Sequence, residues 1–235
     1  MFVPFDFLHY VPFHALFDGT SYLADRFWIS YAPAAAIYRL FKKRPVSAAG
    51  KALLLGVPDE RAPFIAHEIQ SISSVLPNAT PFVGAQATPE RLTDEMAQAE
   101  IIHIASHATF RPDNPMFSSI QLHEKSLNFF DIYRLRTTAS LITLSGCGTG
   151  LSSVVAGDEL LGLIRGFLYA GATSVVTSLW DVNDQSTADL MKYFYGNLAS
   201  GHSKGEALRL AMLLLRQDHP HPYYWAPFLL MGDPS

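Results

Sequence analysis

The sequence predicts an α/β domain with a central, mainly parallel sheet flanked by helices, and three observations predict it. Short apolar runs at 52–57, 101–105, 139–144 and 174–179 have the length and apolar content of buried strands. Helical periodicity falls between them: within 64–76, Ile65, Ile69, Ile72 and Leu76 share one face, and 158–169 follows the third run. Strands that alternate with helices pair in parallel, because each crossover returns the chain to the same edge. The third observation is bulk. With 235 residues, 49% apolar and 16% charged, the chain can bury a sizeable core without disulfides or metals.

The elements follow in order. Residues 27–31 (FWISY) read as a short strand and 34–41 as a short helix. Lys42-Lys43-Arg44-Pro45, followed by Ser47-Ala48-Ala49-Gly50, is the best linker. The strand at 52–57 is stopped by Pro58, and Pro81-Phe82-Val83 is a shorter one. Thr88 and Pro89 open a helix as cap and first residue. Residues 120–122 suit a hairpin arm. Helices are expected at 183–198 and 204–216, and a final strand at 228–231. His219 and His221 alternate with Pro220 and Pro222, which reads as a rigid turn.

Composition excludes several functions. Seventeen basic and 21 acidic residues leave a formal charge of −4, so nucleic acid is not an expected partner. The single cysteine, Cys147, rules out an internal disulfide and multi-cysteine zinc sites, which points to a reducing, cytoplasmic setting. No uninterrupted apolar run is long enough to span a membrane. Residues 1–17 are aromatic-rich, carry Pro4, Asp6 and Pro12 and have no basic residue, unlike a secretory signal. They read as part of a core already under way, so the chain is expected to be a piece of a longer protein.

Functional residues of parallel sheets gather at the carboxyl ends of strands. Two ends stand out. His103-Ile104-Ala105-Ser106-His107-Ala108 puts His107 just past one strand, and Leu144-Ser145-Gly146-Cys147-Gly148-Thr149-Gly150 puts Cys147 just past another. A cysteine on a glycine-rich loop beside a histidine is the layout of a thiol nucleophile and its base. On spacing alone a lone cysteine is more often a small buried hydrophobe. His103 and His107 are four apart, but a strand does not put them on one helical face, so no metal is expected. Gly146, Gly148 and Gly150 would need a further glycine where Leu151 stands to make a dinucleotide loop. No cofactor is expected. A serine elbow at Ser145 lacks its first glycine, since Thr143 stands there.

Taken together, the segments resemble the CHAT domain, a caspase-like peptidase module often found beside tetratricopeptide repeats. The resemblance rests on Leu8-His9-Tyr10-Val11-Pro12-Phe13-His14-Ala15-Leu16 and Ile29-Ser30-Tyr31-Ala32-Pro33, on the two strand ends, on Gly157-Asp158-Glu159-Leu160-Leu161-Gly162-Leu163 continuing to Ser178-Leu179-Trp180-Asp181-Val182, and on Tyr223-Tyr224-Trp225-Ala226-Pro227-Phe228. It implies a three-layer caspase-like fold and a cysteine endopeptidase with His107 and Cys147 as dyad. It also implies the backbone N–H groups of Ala108 and Cys147 as oxyanion donors. Ser145, Asp158, Glu159, Trp180 and Asp181 become candidates for substrate binding. The implied partners are a protein substrate and a tetratricopeptide-repeat or other regulatory domain. Residues 1–45 resemble only the end of the family's non-catalytic first lobe, packed on a catalytic domain at 46–235. Two departures stand out: Ala108 replaces the glycine common after the catalytic histidine, and Ser145 stands where basic-specific relatives carry aspartate. The alternative is a catalytically silent interaction module with the same fold.

Overall fold

The structure is a computed structural model that describes residues 1–44, 50–109, 118–146 and 159–235, with backbone alone at 159–161. Two short 3₁₀ turns, Asp6–Tyr10 and Phe13–Ala15, precede α1 (Leu23–Arg26) and α2 (Ala35–Phe41). Then come β1 (Ala52–Gly56), α3 (Ile65–Val75), β2 (Ala79–Val83), α4 (Pro89–Glu95) and β3 (Ile101–Ala105). A small antiparallel sheet of β4 (Ala108–Thr109), β5 (Ser119–Gln121) and β6 (Ser126–Asn128) leads into α5 (Phe129–Arg134). The chain ends with β7 (Leu141–Ser145), α6 (Glu159–Ala170), β8 (Ser174–Ser178), α7 (Asp184–Ala199), α8 (Lys204–Asp218), α9 (Pro222–Trp225) and β9 (Phe228–Gly232).

The main sheet has the order β2-β1-β3-β7-β8-β9. Its neighbours are parallel except β9, which runs antiparallel to β8. Strand alternation feeds two cores. Leu53 and Leu55 of β1 face a core built with Leu92, Ile132 and Phe167 from α4, α5 and α6. Leu54 faces the opposite core with Ile69, Tyr195 and Leu208 from α3, α7 and α8. Strands buried on both faces need near-continuous apolar runs, and the LLL of β1 is one. The expected three-layer α/β architecture is therefore observed.

The topology also marks a place. From β1 the chain goes to β2 on one side and then crosses to β3 on the other. Such a reversal opens a crevice at the carboxyl ends of the two inner strands, because their loops leave in opposite directions.

The expected strand at 27–31 does not form. Only Tyr31 bridges, to Phe2 on one side and Met231 on the other. Phe27 ends α1, and the Trp28 ring packs over Gly205 of α8, so the aromatics of this run are used singly. Helix α5 was not anticipated, although Asn128 and Asp131 form a capping box at its start. Residues 1–44 pack on the last strand: the Tyr31 N–H donates to the Leu230 carbonyl at 2.8 Å, Phe2 stacks on Phe13 at 4.3 Å, and Tyr31 is fully buried. Phe5 and Phe7 stand exposed.

His14 joins this packing and carries a pH consequence. Burial pushes its imidazole from 6.5 down to about 4, against the pull of the Ala226 carbonyl 3.0 Å from Nε2. The unfolded chain therefore binds the proton more tightly than the folded one. Stability from a neutral His14 is complete above about pH 6.5 and is lost as pH falls towards 4. Between pH 7 and pH 4.5, wild type is expected to lose about 2 kcal/mol more than His14→Gln in urea denaturation. Equal losses would refute a neutral buried His14.

Candidate functional site

His107 sits two residues beyond β3, with its side chain about a quarter exposed. β3 pairs with β7 in register, Ala105 opposite Ser145. Cys147 follows Ser145 by the same two residues but lies outside the described residues, as does Asp158. The two strand ends are tightly knit. The Ser106 N–H donates to the Ser145 carbonyl at 3.2 Å. Gly146 has φ +79°, and a Cβ there would lie 3.2 Å from the Ser106 carbonyl oxygen, so the turn out of β7 favours glycine. Ala108 is buried, opens β4 opposite Ile120, and is not among the described non-glycine residues with positive φ. Alanine is therefore unstrained at this position.

The groups around His107 are acidic. Asp59, in the loop after β1, places Oδ2 3.0 Å from His107 Nε2. The Nε2 atom is shielded from water, and its contact with the oxygen is close but not squarely aligned. Partial burial works against the Asp59 charge, yet the His107 contact and the N–H groups of Arg61 and Ala62 hold its carboxyl below the ordinary range. Asp184, the first residue of α7, accepts the Phe64 N–H at 2.7 Å. Burial pushes its carboxyl up, and repulsion from Glu68 adds to that.

Beneath the site lies a buried polar row. His103, Thr143 and Ser145 all face α3 and α7, and all are fully buried. Glu68 of α3 places Oε1 2.9 Å from His103 Nε2, and the Ser145 hydroxyl donates to the same oxygen at 2.6 Å. On the other side the Tyr195 hydroxyl donates to Thr143 Oγ1 at 2.8 Å and lies 3.1 Å from His103 Nδ1. Every member has a partner, as a buried charge requires. Ser145, a candidate for substrate binding, thus has its hydroxyl committed to Glu68.

The other candidates sit elsewhere. Glu159 opens α6 by its backbone. Trp180 and Asp181 follow β8 and so open at the same sheet edge as His107. They line a cleft of about 460 Å³ with Pro12, Ala15, His221 and Tyr223, and Trp180 Nε1 donates to the Tyr223 carbonyl at 3.1 Å. A larger cavity of about 730 Å³ lies between α4 and α5 and is lined by none of the candidate residues. No group of three or more metal-ligating side chains occurs among the described residues.

Sequence reasoning missed Asp59 and Glu68. The signal for Glu68 was there: it falls on the apolar stripe of α3, between Ile65 and Ile69, where a lone charge must be paired. Asp59 gave a weaker signal, an aspartate just past a strand-ending proline.

The strand order, the two helix layers and the crevice at β1 and β3 define a caspase-like α/β domain. The chain belongs to the CHAT domain family, whose profile matches residues 1–233. It resembles mouse "Tetratricopeptide repeat protein 28", 26% identical over 287 residues, which cover 96% of this chain and 12% of that protein. The chain thus spans about an eighth of the length of that relative. Among solved structures it resembles the Arg-specific cysteine proteinase gingipain R, with TM-score 0.63 at 12% identity over 85% of this chain and 50% of that one. It also resembles separase in the Saccharomyces cerevisiae separase–securin complex, with TM-score 0.65 at 15% identity over 95% of this chain and 15% of that one. No helix among the described residues is long and apolar enough to cross a membrane.

Proposed function

We propose that this domain is a cysteine endopeptidase that cuts protein substrates with His107 and Cys147. The observation that carries the reading is the register of β3 on β7. Ala105 lies opposite Ser145, His107 follows at the edge where the β1–β3 crevice opens, and Cys147 comes two residues after Ser145 in the sequence. In this reading the Cys147 thiolate attacks the scissile carbonyl carbon. His107 takes the thiol proton and returns it to the leaving amine, and water then hydrolyses the thioester. Backbone N–H groups, that of Cys147 first, receive the oxyanion. Trp180 and Asp181, with the cleft they line, are the candidate contacts for substrate side chains; Asp158 and Glu159 rest on the resemblance alone.

A larger protein is the natural setting. The tetratricopeptide repeat relative is about eight times longer than the matched region, and a repeat domain that controls access to the cleft suits a cytoplasmic protease. The test is covalent labelling. Wild type and His107→Ala are treated with dilute iodoacetamide near neutral pH, and Cys147 modification is followed by mass spectrometry. Labelling at least about tenfold faster in wild type supports an activated thiolate. Equal, slow labelling favours the silent interaction module instead.

A further inference from the structure

We propose that Asp59 is the positioning residue of His107: it holds the proton of the ring on Nε2 and leaves Nδ1 as the working base. This rests on the dyad reading above and names the group that makes the histidine a competent member of it.

Three observations carry the proposal. The first is the contact, with Asp59 Oδ2 3.0 Å from His107 Nε2. A carboxylate accepts hydrogen bonds and cannot donate one, so the nitrogen it faces is favoured as N–H and the other nitrogen keeps its lone pair. The second is that the carboxylate is itself fixed. Its other oxygen, Oδ1, accepts the N–H groups of Arg61 at 2.8 Å and Ala62 at 3.0 Å, closing the turn that follows Pro58. Ala62 is buried, so the turn is anchored to the core and Oδ2 can only point away from it. The third is place. Asp59 leaves β1 and His107 leaves β3, the two inner strands of the topological switch, so the pair spans the crevice that the fold opens. The rival carboxylate, Asp184, is already used by the Phe64 N–H, and Glu68 lies in the buried row under the site.

The turn makes an unusual consequence. In Asp59→Asn the side-chain carbonyl must stay on the turn, because Arg61 and Ala62 both present donors. The amide NH₂ then takes the place of Oδ2 and faces Nε2. A donor there demands an acceptor, so the ring proton moves to Nδ1 and the base is blocked. Asp59→Ala removes the instruction without reversing it. The isosteric change is therefore expected to do more damage than the truncation. Asp59→Glu keeps an acceptor and should rescue in part.

The test uses ¹⁵N-histidine NMR of the full chain at about pH 8, where an ordinary imidazole is neutral, with iodoacetamide labelling of Cys147 alongside. Wild-type His107 is expected as the Nε2–H tautomer, Asp59→Asn as Nδ1–H, and Asp59→Ala as a mixture. Labelling should fall by about tenfold in Asp59→Asn and by less in Asp59→Ala. An unchanged tautomer in Asp59→Asn overturns the proposal. So does a reversed tautomer with labelling unchanged in a protein whose labelling does slow in His107→Ala. If His107→Ala itself leaves labelling unaltered, the dyad reading fails, and the tautomer alone then decides whether Asp59 commands the ring. Thermal melts guard against trivial unfolding, which the 45% exposure of the Asp59 side chain makes avoidable.

Discussion

Glu68→Ala is expected to lower the free energy of unfolding by about 3–5 kcal/mol, the range for breaking a buried ion pair from one side. Glu68 is 1% exposed and His103 is not exposed at all, so water cannot replace the lost carboxylate. Removal takes the same Oε1 from His103 Nε2 and from the Ser145 hydroxyl, which lie 3.2 Å apart and are left on that side with only each other. A buried donor that this leaves unmatched adds its own desolvation cost. The pair need not be stabilising in itself. Replacing both sides with apolar groups, as in Glu68→Leu with His103→Leu, is expected to recover much of the loss, because the polar group left without its partner and not the missing contact does the damage. Urea denaturation of the two variants checks this. A loss below about 1 kcal/mol for Glu68→Ala would mean that water enters the row freely.

The same row shows what a sequence can and cannot say. The Leu53, Leu54 and Leu55 run of β1 and the Ile65, Ile69 and Ile72 stripe of α3 were legible, because burial on two faces or one writes a period into the chain. The cap at Thr88 was legible too, and its hydroxyl does accept the Arg91 N–H at 3.2 Å. Strand-end placement picked out His107 because parallel sheets put their loops at one edge. The Glu68–His103 pair joins residues 35 positions apart, and Asp59–His107 joins residues 48 apart. Nothing local encodes either. Only the order β2-β1-β3-β7 brings α3 and the β1 loop against the ends of β3 and β7, and that order is a property of packing, not of periodicity. The aromatic run at 27–31 failed for the opposite reason: its composition is that of a strand, but Trp28 packs over Gly205, Tyr31 against Phe2 and Phe13, and Phe27 stays half exposed, so β propensity was overridden.

Peptide hydrolysis is expected to fall by about 10²–10⁴ in His107→Ala, and the double variant with Cys147→Ala should be no slower than Cys147→Ala alone. The reasoning is chemical. A general base contributes only through the nucleophile it activates, so once the thiol is gone the imidazole has nothing to deprotonate. Independent contributions would multiply, and the double variant would then be slower than either single one by the product of their effects. Turnover of a peptide library by the three variants and wild type distinguishes the two cases. Multiplicative losses would mean that His107 binds substrate in its own right and that another group activates the thiol. Asp184 is poorly suited to that role, since its carboxyl is tied to the Phe64 N–H. Losses confined to the single-variant level would instead bind β3 and β7 into one chemical unit. The pairing of Ala105 with Ser145 would then be the structural reason that a histidine and a cysteine 40 residues apart act together.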